Sequence, residues 1–297
     1  MASSAITFFA YFFLGIGPGI AFFVAFISQK SFLVLLSFFS AFIWLIVLLF
    51  TSAIFKGFLP VPETASSYAG VLTTSVFIQE VVRYGVWWMH KKGIVILEKI
   101  ARVKGRRFGM LDKLYLALAW GYGQSVCHTV FFYLSFLPLT TGSGTLYLST
   151  CTQMSFFLVG ALYSIAFGML LSSIMVVFFD GLHTHNWAHV AFAPAIHLAA
   201  SLMTLINLTQ GGCVIAMPVV LGLGAASMVY AGQLAWRKGI IEALDETVLA
   251  PLATGDGLLE EQEMQPPAHD HASSGETLSG ATHQRAVTRR VPTTVSG

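Results

Sequence analysis

Glu80 and Arg83 stand three positions apart inside the apolar run SVFIQEVVRYGVWW, with Gln79 beside them. A helix puts residues i and i+3 on one face, so each can neutralise the other. We read them as an internal ion pair that fixes this segment against its neighbours. The sharper alternative is a catalytic glutamate oriented by arginine. His197 lies in the middle of WAHVAFAPAIHLAASLMTLIN, and His128 lies in LALAWGYGQSVCHTVFFYLSFL. Ionisable residues cost a few kcal/mol in hydrocarbon, so each marks a functional site by default.

The small residues around these side chains follow a spacing of their own. Gly121, Ser125 and Thr129 recur every four residues, and His128 borders their stripe. Such a stripe lets a second backbone come close while the hydroxyls bond across the gap. Gly123 and Cys127 make a weaker second row. Ala193, His197 and Ser201 form another row, with Ala200 and Thr204 adjoining and Pro194 predicting a kink. The expected role of His197 is a structural hydrogen bond. Gly222, Gly224, Ala226 and Gly232 give a further packing face after Pro218.

These residues complete no familiar hydrolytic site. An intramembrane aspartyl protease needs two aspartates at membrane depth, and only Asp180 is near, at the end of a run where its charge can reach water. The H-E-x-x-H zinc pattern is absent. Ser227 in GAASMVY lacks the glycine-flanked turn and partner histidine of a rhomboid-like serine protease. His183, His185 and His189 have metal-like spacing, but Asp180 is their one nearby carboxylate, so we assign no metal and no other cofactor. Of the three cysteines, Cys127 sits in an apolar run, whereas Cys151 and Cys213 flank such runs. Those two could pair in an oxidising compartment, but their spacing matches no disulfide framework and free thiols are the expectation.

Composition determines what carries these residues. Hydrophobic residues make up 56% of the chain and charged ones 10%, far too few for a soluble domain. A crossing helix needs about 20 mostly apolar residues. Seven stretches qualify, at 5–28, 31–55, 68–90, 113–138, 155–180, 187–208 and 213–236. The expected fold is all-α: a polytopic membrane protein with seven transmembrane helices over 1–238, then a disordered cytosolic tail at 239–297. The N-terminal run lacks the positive flank of a cleaved signal and reads as the retained first helix. Lys91, Lys92, Lys99, Arg102, Lys104, Arg106, Arg107 and Lys113 fall in the basic break between the third and fourth spans, over 91–112 and its edge. The positive-inside rule makes that side cytosolic. Lys30, His183–His185 and Arg237–Lys238 then share it, and Lys56 alone lies opposite. The N-terminus is therefore expected in the lumen and the C-terminus in the cytosol. Tail residues His269, His271 and His283 read as solvated filler. The sequon at Asn207 abuts the membrane and is expected to stay unused. A net charge of +2 gives no reason to expect nucleic acid, and nothing points to a small-molecule substrate.

Several segments together resemble the anterior-pharynx-defective family, the scaffold subunit of γ-secretase. They are GPGIAFF at 17–23, FIWLIVLL at 42–49, QEVVR at 79–83, the 112–135 segment, VVFFDG at 176–181, PAIHLAASLMTLIN at 194–207 and GGCVIAMP at 211–218. They occur in the family's order over 5–238, closer in wording to plant or algal members than to animal ones. The resemblance implies a non-catalytic subunit assembled with presenilin, nicastrin and the presenilin-enhancer subunit, a complex that cleaves single-span membrane proteins. It implies residence in endoplasmic reticulum, Golgi and endosomal or plasma membranes, in contact with lipid. The family's glycine stripe falls on Gly121, Ser125 and Thr129, whose hydroxyls imply a slightly larger interhelical distance. Of the family's two intramembrane histidines, one corresponds to His197 and the other falls at Leu171, with His128 a candidate substitute. The runner-up class is a glutamate-dependent intramembrane protease using Glu80, Arg83 and His197. Gln79 stands where its second acid would be, so the pattern looks like a decayed site. A metal-dependent lipid hydrolase or a receptor would rest on His183–His189 alone.

Overall fold

The computed structural model describes residues 2–57, 65–105, 107–141 and 147–255. Seven long helices account for most of them: α1 Ala2–Phe22, α2 Ser31–Gly57, α3 Ala65–Val103, α4 Met110–Thr129, α5 Phe156–Thr184, α6 Trp187–Met203 and α7 Cys213–Gly255. Short π-helical segments prolong α1 over Phe23–Ile27 and α4 over Val130–Leu134, and a 3-10 turn prolongs α6 over Thr204–Leu208. The β-type pairing among the described residues is one isolated bridge, Leu148 to Cys151.

Among the described residues, five helical stretches are long and apolar enough to cross a bilayer: Ala5–Ile27, Ser31–Gly57, Phe156–Thr184, Trp187–Leu208 and Cys213–Leu244. The helices outside that set, α3 and α4, carry Glu80, Arg83, Gln124 and His128 within their length. This is an all-α membrane protein, and those polar side chains interrupt the apolar run of the two helices.

α5 is the central element. Every residue from Leu170 to Gly181 is buried, and α1, α4 and α6 pack around it. Ser155 caps its N-terminus by accepting the Leu158 N–H at 3.1 Å. At the other end His185 takes the left-handed conformation (φ 57°), and the Asn186 side chain accepts the Ala188 N–H at 3.1 Å to start α6. α2 covers α4 from outside, with Leu35, Phe38 and Phe50 more than half exposed in the manner of a lipid-facing surface.

Two helices outrun the expected spans. α3 has 39 residues and α7 has 43, whereas about 20 cross the ~30 Å hydrocarbon core. The basic stretch after residue 90 is therefore a correction: α3 runs on to Val103 instead of breaking there. The physical reason is that Ile94 and Leu97 recur at helical spacing and pack on Leu116 and Ala119 of α4. α7 likewise passes residue 238 without a break. Its Glu242 accepts the Leu111 N–H at 3.0 Å, stabilising the start of α4. The expectation of a disordered tail falls, for 256–297, outside the described residues.

Candidate functional site: a closed polar network beside an apolar cavity

The helices α3, α4 and α6 meet at one group of polar side chains. Arg83 is fully buried, and its Nη1 donates to both carboxylate oxygens of Glu80. Its Nη2 donates to Gln124 Oε1 at 3.3 Å. From α6, His197 Nδ1 donates to Glu80 Oε1 at 2.8 Å. A carboxylate has about four acceptor positions, and charge-assisted donors fill them most strongly. Glu80 is thus held between a guanidinium and an imidazole. A general base needs an acceptor position free to take a proton from water.

Beside the network lies a cavity of about 450 Å³. Gln79, His128 and His197 bound one end, and Leu148 with the Cys151 and Cys213 pair bounds the other. His128 and His197 therefore share one cavity wall although they come from different helices. Neither Glu80 nor Leu171 is among the lining residues. Leu171 is packed into the apolar core with Leu170 and Ile174.

The small-residue stripe on α4 lies against α5. A Cβ added at Gly121 would sit 2.6 Å from the Ser172 carbonyl oxygen and 2.9 Å from the Ser172 Cα. One added at Gly168 would sit 3.3 Å from Ser125 Oγ. Ser164 Oγ bonds Thr129 Oγ1 at 3.2 Å and reaches the Gly15 carbonyl at 3.1 Å. The stripe thus meets a second one, Ser164/Gly168/Ser172, which is also spaced by four. Gly123 faces α2, where Ser40 donates to the Trp120 carbonyl at 2.6 Å. Of the glycines on α7, Gly224 abuts the Ala166 backbone, whereas Gly222 and Gly232 have open space around them.

Two readings of the sequence need correction. Cys151 and Cys213 are bonded to each other, with Cα atoms 6.0 Å apart. Residues 147–154 and 209–213 meet at one end of the bundle, where Gly211 N–H donates to the Thr150 carbonyl at 2.8 Å. That proximity is tertiary, and spacing along the chain does not encode it. Asp180 is buried rather than wetted, at 6% exposed. Lys238 of α7 pairs with it and His189 Nδ1 lies 3.4 Å away. His189 Nε2 is 2.7 Å from Tyr230 OH. Among the described residues no group of three His, Cys, Asp or Glu side chains is placed to hold a metal.

Sequence reasoning missed Gln124, a lone amide in an apolar run whose polarity was the available signal. It also missed Tyr133. The π-helical segment Val130–Leu134 carries this ring onto Gly15, and its hydroxyl donates to the Tyr11 carbonyl at 2.6 Å. No residue pattern announces that segment. At the sequon, Asn207 Nδ2 donates to Tyr163 OH at 2.8 Å.

A bundle of membrane helices joined by an internal carboxylate, guanidinium and imidazole defines a polytopic membrane protein with a buried polar network. Residues 6–238 match the family model described as Aph-1 protein. The chain is 35% identical over 230 residues to the "Gamma-secretase subunit APH1-like" of Arabidopsis thaliana, covering 77% of this chain and 92% of that protein. It is 28% identical over 206 residues to the "Gamma-secretase subunit Aph-1" of Drosophila melanogaster, covering 68% and 82%. A zebrafish relative from Danio rerio, "Gamma-secretase subunit Aph-1b", is 27% identical over 226 residues, covering 73% and 85%. The chain belongs to the Aph-1 family.

Proposed function

We propose that this chain is a non-catalytic scaffold subunit of a γ-secretase complex, holding presenilin, nicastrin and the presenilin-enhancer subunit together for cleavage of single-span membrane proteins. One observation carries the reading. The carboxylate at mid-helix, Glu80, is already bonded by Arg83 and His197, and the position beside it is Gln79 rather than a second acid. A carboxylate held by a guanidinium and an imidazole is a weak base, and the second acid of a glutamate-dependent site is missing. The family membership and the subunit names of the relatives support the same conclusion. In this reading the N-terminus is luminal, the C-terminus cytosolic and all seven helices cross the bilayer. The protein works in endoplasmic reticulum, Golgi and endosomal or plasma membranes. Lysines and arginines gather at the far end of α3, and a disulfide, which oxidising compartments favour, lies at the other side of the bundle.

The test is purification of the full chain from its own cells in a mild detergent. Co-purification of presenilin-like and nicastrin-like chains, with cleavage activity that tracks the assembled complex, is the expected result. Proteolysis by the isolated chain that is lost in Glu80→Gln would overturn the scaffold reading.

A further inference from the structure

Most polar groups around the cavity are bonded within the protein. Thr129 bonds Ser164, Tyr163 bonds Asn207, and Thr204 donates to the Ser201 carbonyl. The groups left open collect at one end. Gln79 is 4% exposed, and its Oε1 is buried with no hydrogen-bond partner. His128 Nδ1 lies 3.0 Å from the Gln124 carbonyl, and His197 Nδ1 lies 2.8 Å from the Glu80 carboxylate. Both of those partners only accept, so each ring carries its proton on Nδ1, and a neutral ring then keeps a lone pair on Nε2. Arg83 already neutralises Glu80, so the neutral form of His197 suffices. Neither Nε2 has a protein partner among the described residues. Three acceptors at this end thus have no donor among the described residues, while Arg83 Nε and Gln124 Nε2 in the adjoining network are buried without an acceptor.

We propose that the cavity binds a neutral lipid carrying one hydroxyl group, with the hydroxyl seated among Gln79, His128 and His197. An unmet acceptor is costly, and a hydroxyl brings one O–H donor that this end of the cavity lacks. Phospholipids fit poorly, because no lysine or arginine among the described residues lines the cavity to receive a phosphate. The remaining wall is mostly apolar and aromatic, including Phe132, Phe136 and Phe167. The volume falls in the range of about 300–1,000 Å³ usual for enclosed ligands. Phe132 is 56% exposed and Leu148 is 46% exposed, so the cavity reaches the surface where a lipid could pass in. The inference stands on the cavity alone and is independent of the scaffold reading.

Full-length protein in phosphatidylcholine vesicles would be irradiated with two diazirine probes, a sterol and a long-chain alcohol, each with a free hydroxyl. Adducts would be mapped by peptide mass. Adducts on the peptides bearing Phe132 or Phe167 are expected, and the probe that gives them names the source. Unlabelled sterol, long-chain alcohol and diacylglycerol would compete, whereas the O-methyl ether of the effective probe should compete roughly three- to tenfold less well, as loss of one neutral donor implies. Gln79→Leu should lose these adducts and keep those on the lipid-facing surface of α2. Adducts of neither probe in the cavity would overturn the proposal, as would an ether that competes as well as its alcohol. The ether comparison uses the unaltered chain, so it stands even if the variant fails to fold.

Discussion

The α4–α5 seam and the α3–α6 seam border the same cavity, yet they hold by different forces. Along the small-residue rows of α4–α5 there is no charge. Gly121, Ser125 and Thr129 lie against Ser172, Gly168 and Ser164, and the contact reaches the backbone itself. Across α3–α6, contact runs through a carboxylate shared by Arg83 and His197. Close packing needs no charge compensation but tolerates no added atom. A buried ion network tolerates some change of volume but not the loss of one charge. The two seams should therefore fail differently when altered.

The largest effect is expected from removing one charge. Arg83→Gln leaves Glu80 with an uncompensated charge and should cost on the order of 3–5 kcal/mol. Glu80→Gln should cost a similar amount, and the double variant less than either. Thermal unfolding of the three purified variants measures this, and strictly additive losses would break the electrostatic half of the comparison.

Next comes the packed seam. Gly121→Leu drives carbon into the Ser172 backbone, which has no room to yield, and should cost about 1–3 kcal/mol or more. Insertion into the membrane should persist while complex yield falls. Gly168→Ala should be far milder, because its methyl meets only Ser125 Oγ at 3.3 Å. Equal co-precipitation of all partners by wild type and Gly121→Leu would remove the steric argument.

A smaller loss is expected at His197. His197→Ala gives up a transmembrane hydrogen bond worth about 0.6–2 kcal/mol, whereas His197→Gln can still donate to Glu80. The readouts are yield of intact complex and cleavage rate per complex, taken separately. Full assembly of the Gln variant with cleavage at background would make the histidine chemically engaged and end the scaffold reading.

The smallest change is Thr129→Val. It keeps the shape of the seam and deletes the hydroxyl contact to Ser164, for a loss of about 0.6 kcal/mol in unfolding experiments. A loss as large as that of Gly121→Leu would mean that the α4–α5 seam is held by its polar bond and not by its closeness.

The two seams were also unequally legible in the sequence. Periodicity within one helix exposed the Gly121 stripe, because spacing by four places residues on one face. The same logic put Glu80 beside Arg83. What spacing could not supply was the partner across space. The glutamate meets His197 from α6, and the stripe meets a matching row on α5 whose serines look like ordinary helix residues. Gln124 was visible as a polar residue but had no assigned partner. The π-helical segment after Thr129 left no trace in the residue pattern. The seven helices were legible as apolar stretches, although α3 and α4, interrupted by polar residues, fall short of the apolar length that marks the other five. The ends of α3 and α7 were not: charged side chains on α3 mask an apolar face, Ile94 and Leu97, that packs only in the folded bundle, and α7 is tied beyond residue 238 by Glu242 to the start of α4.

The bond between Cys151 and Cys213 closes a covalent ring around α5 and α6. In the proposed topology two membrane crossings separate its ends, so it can form only after both have been completed and both loops have arrived on the same side. During biosynthesis the bond would act as a record: a chain that inserts with one crossing missed has its cysteines on opposite faces and cannot close. A protease that cuts anywhere inside the ring would then leave one molecule until a reductant is added. Mobility on a non-reducing gel after such a cut reports whether a given chain was threaded correctly.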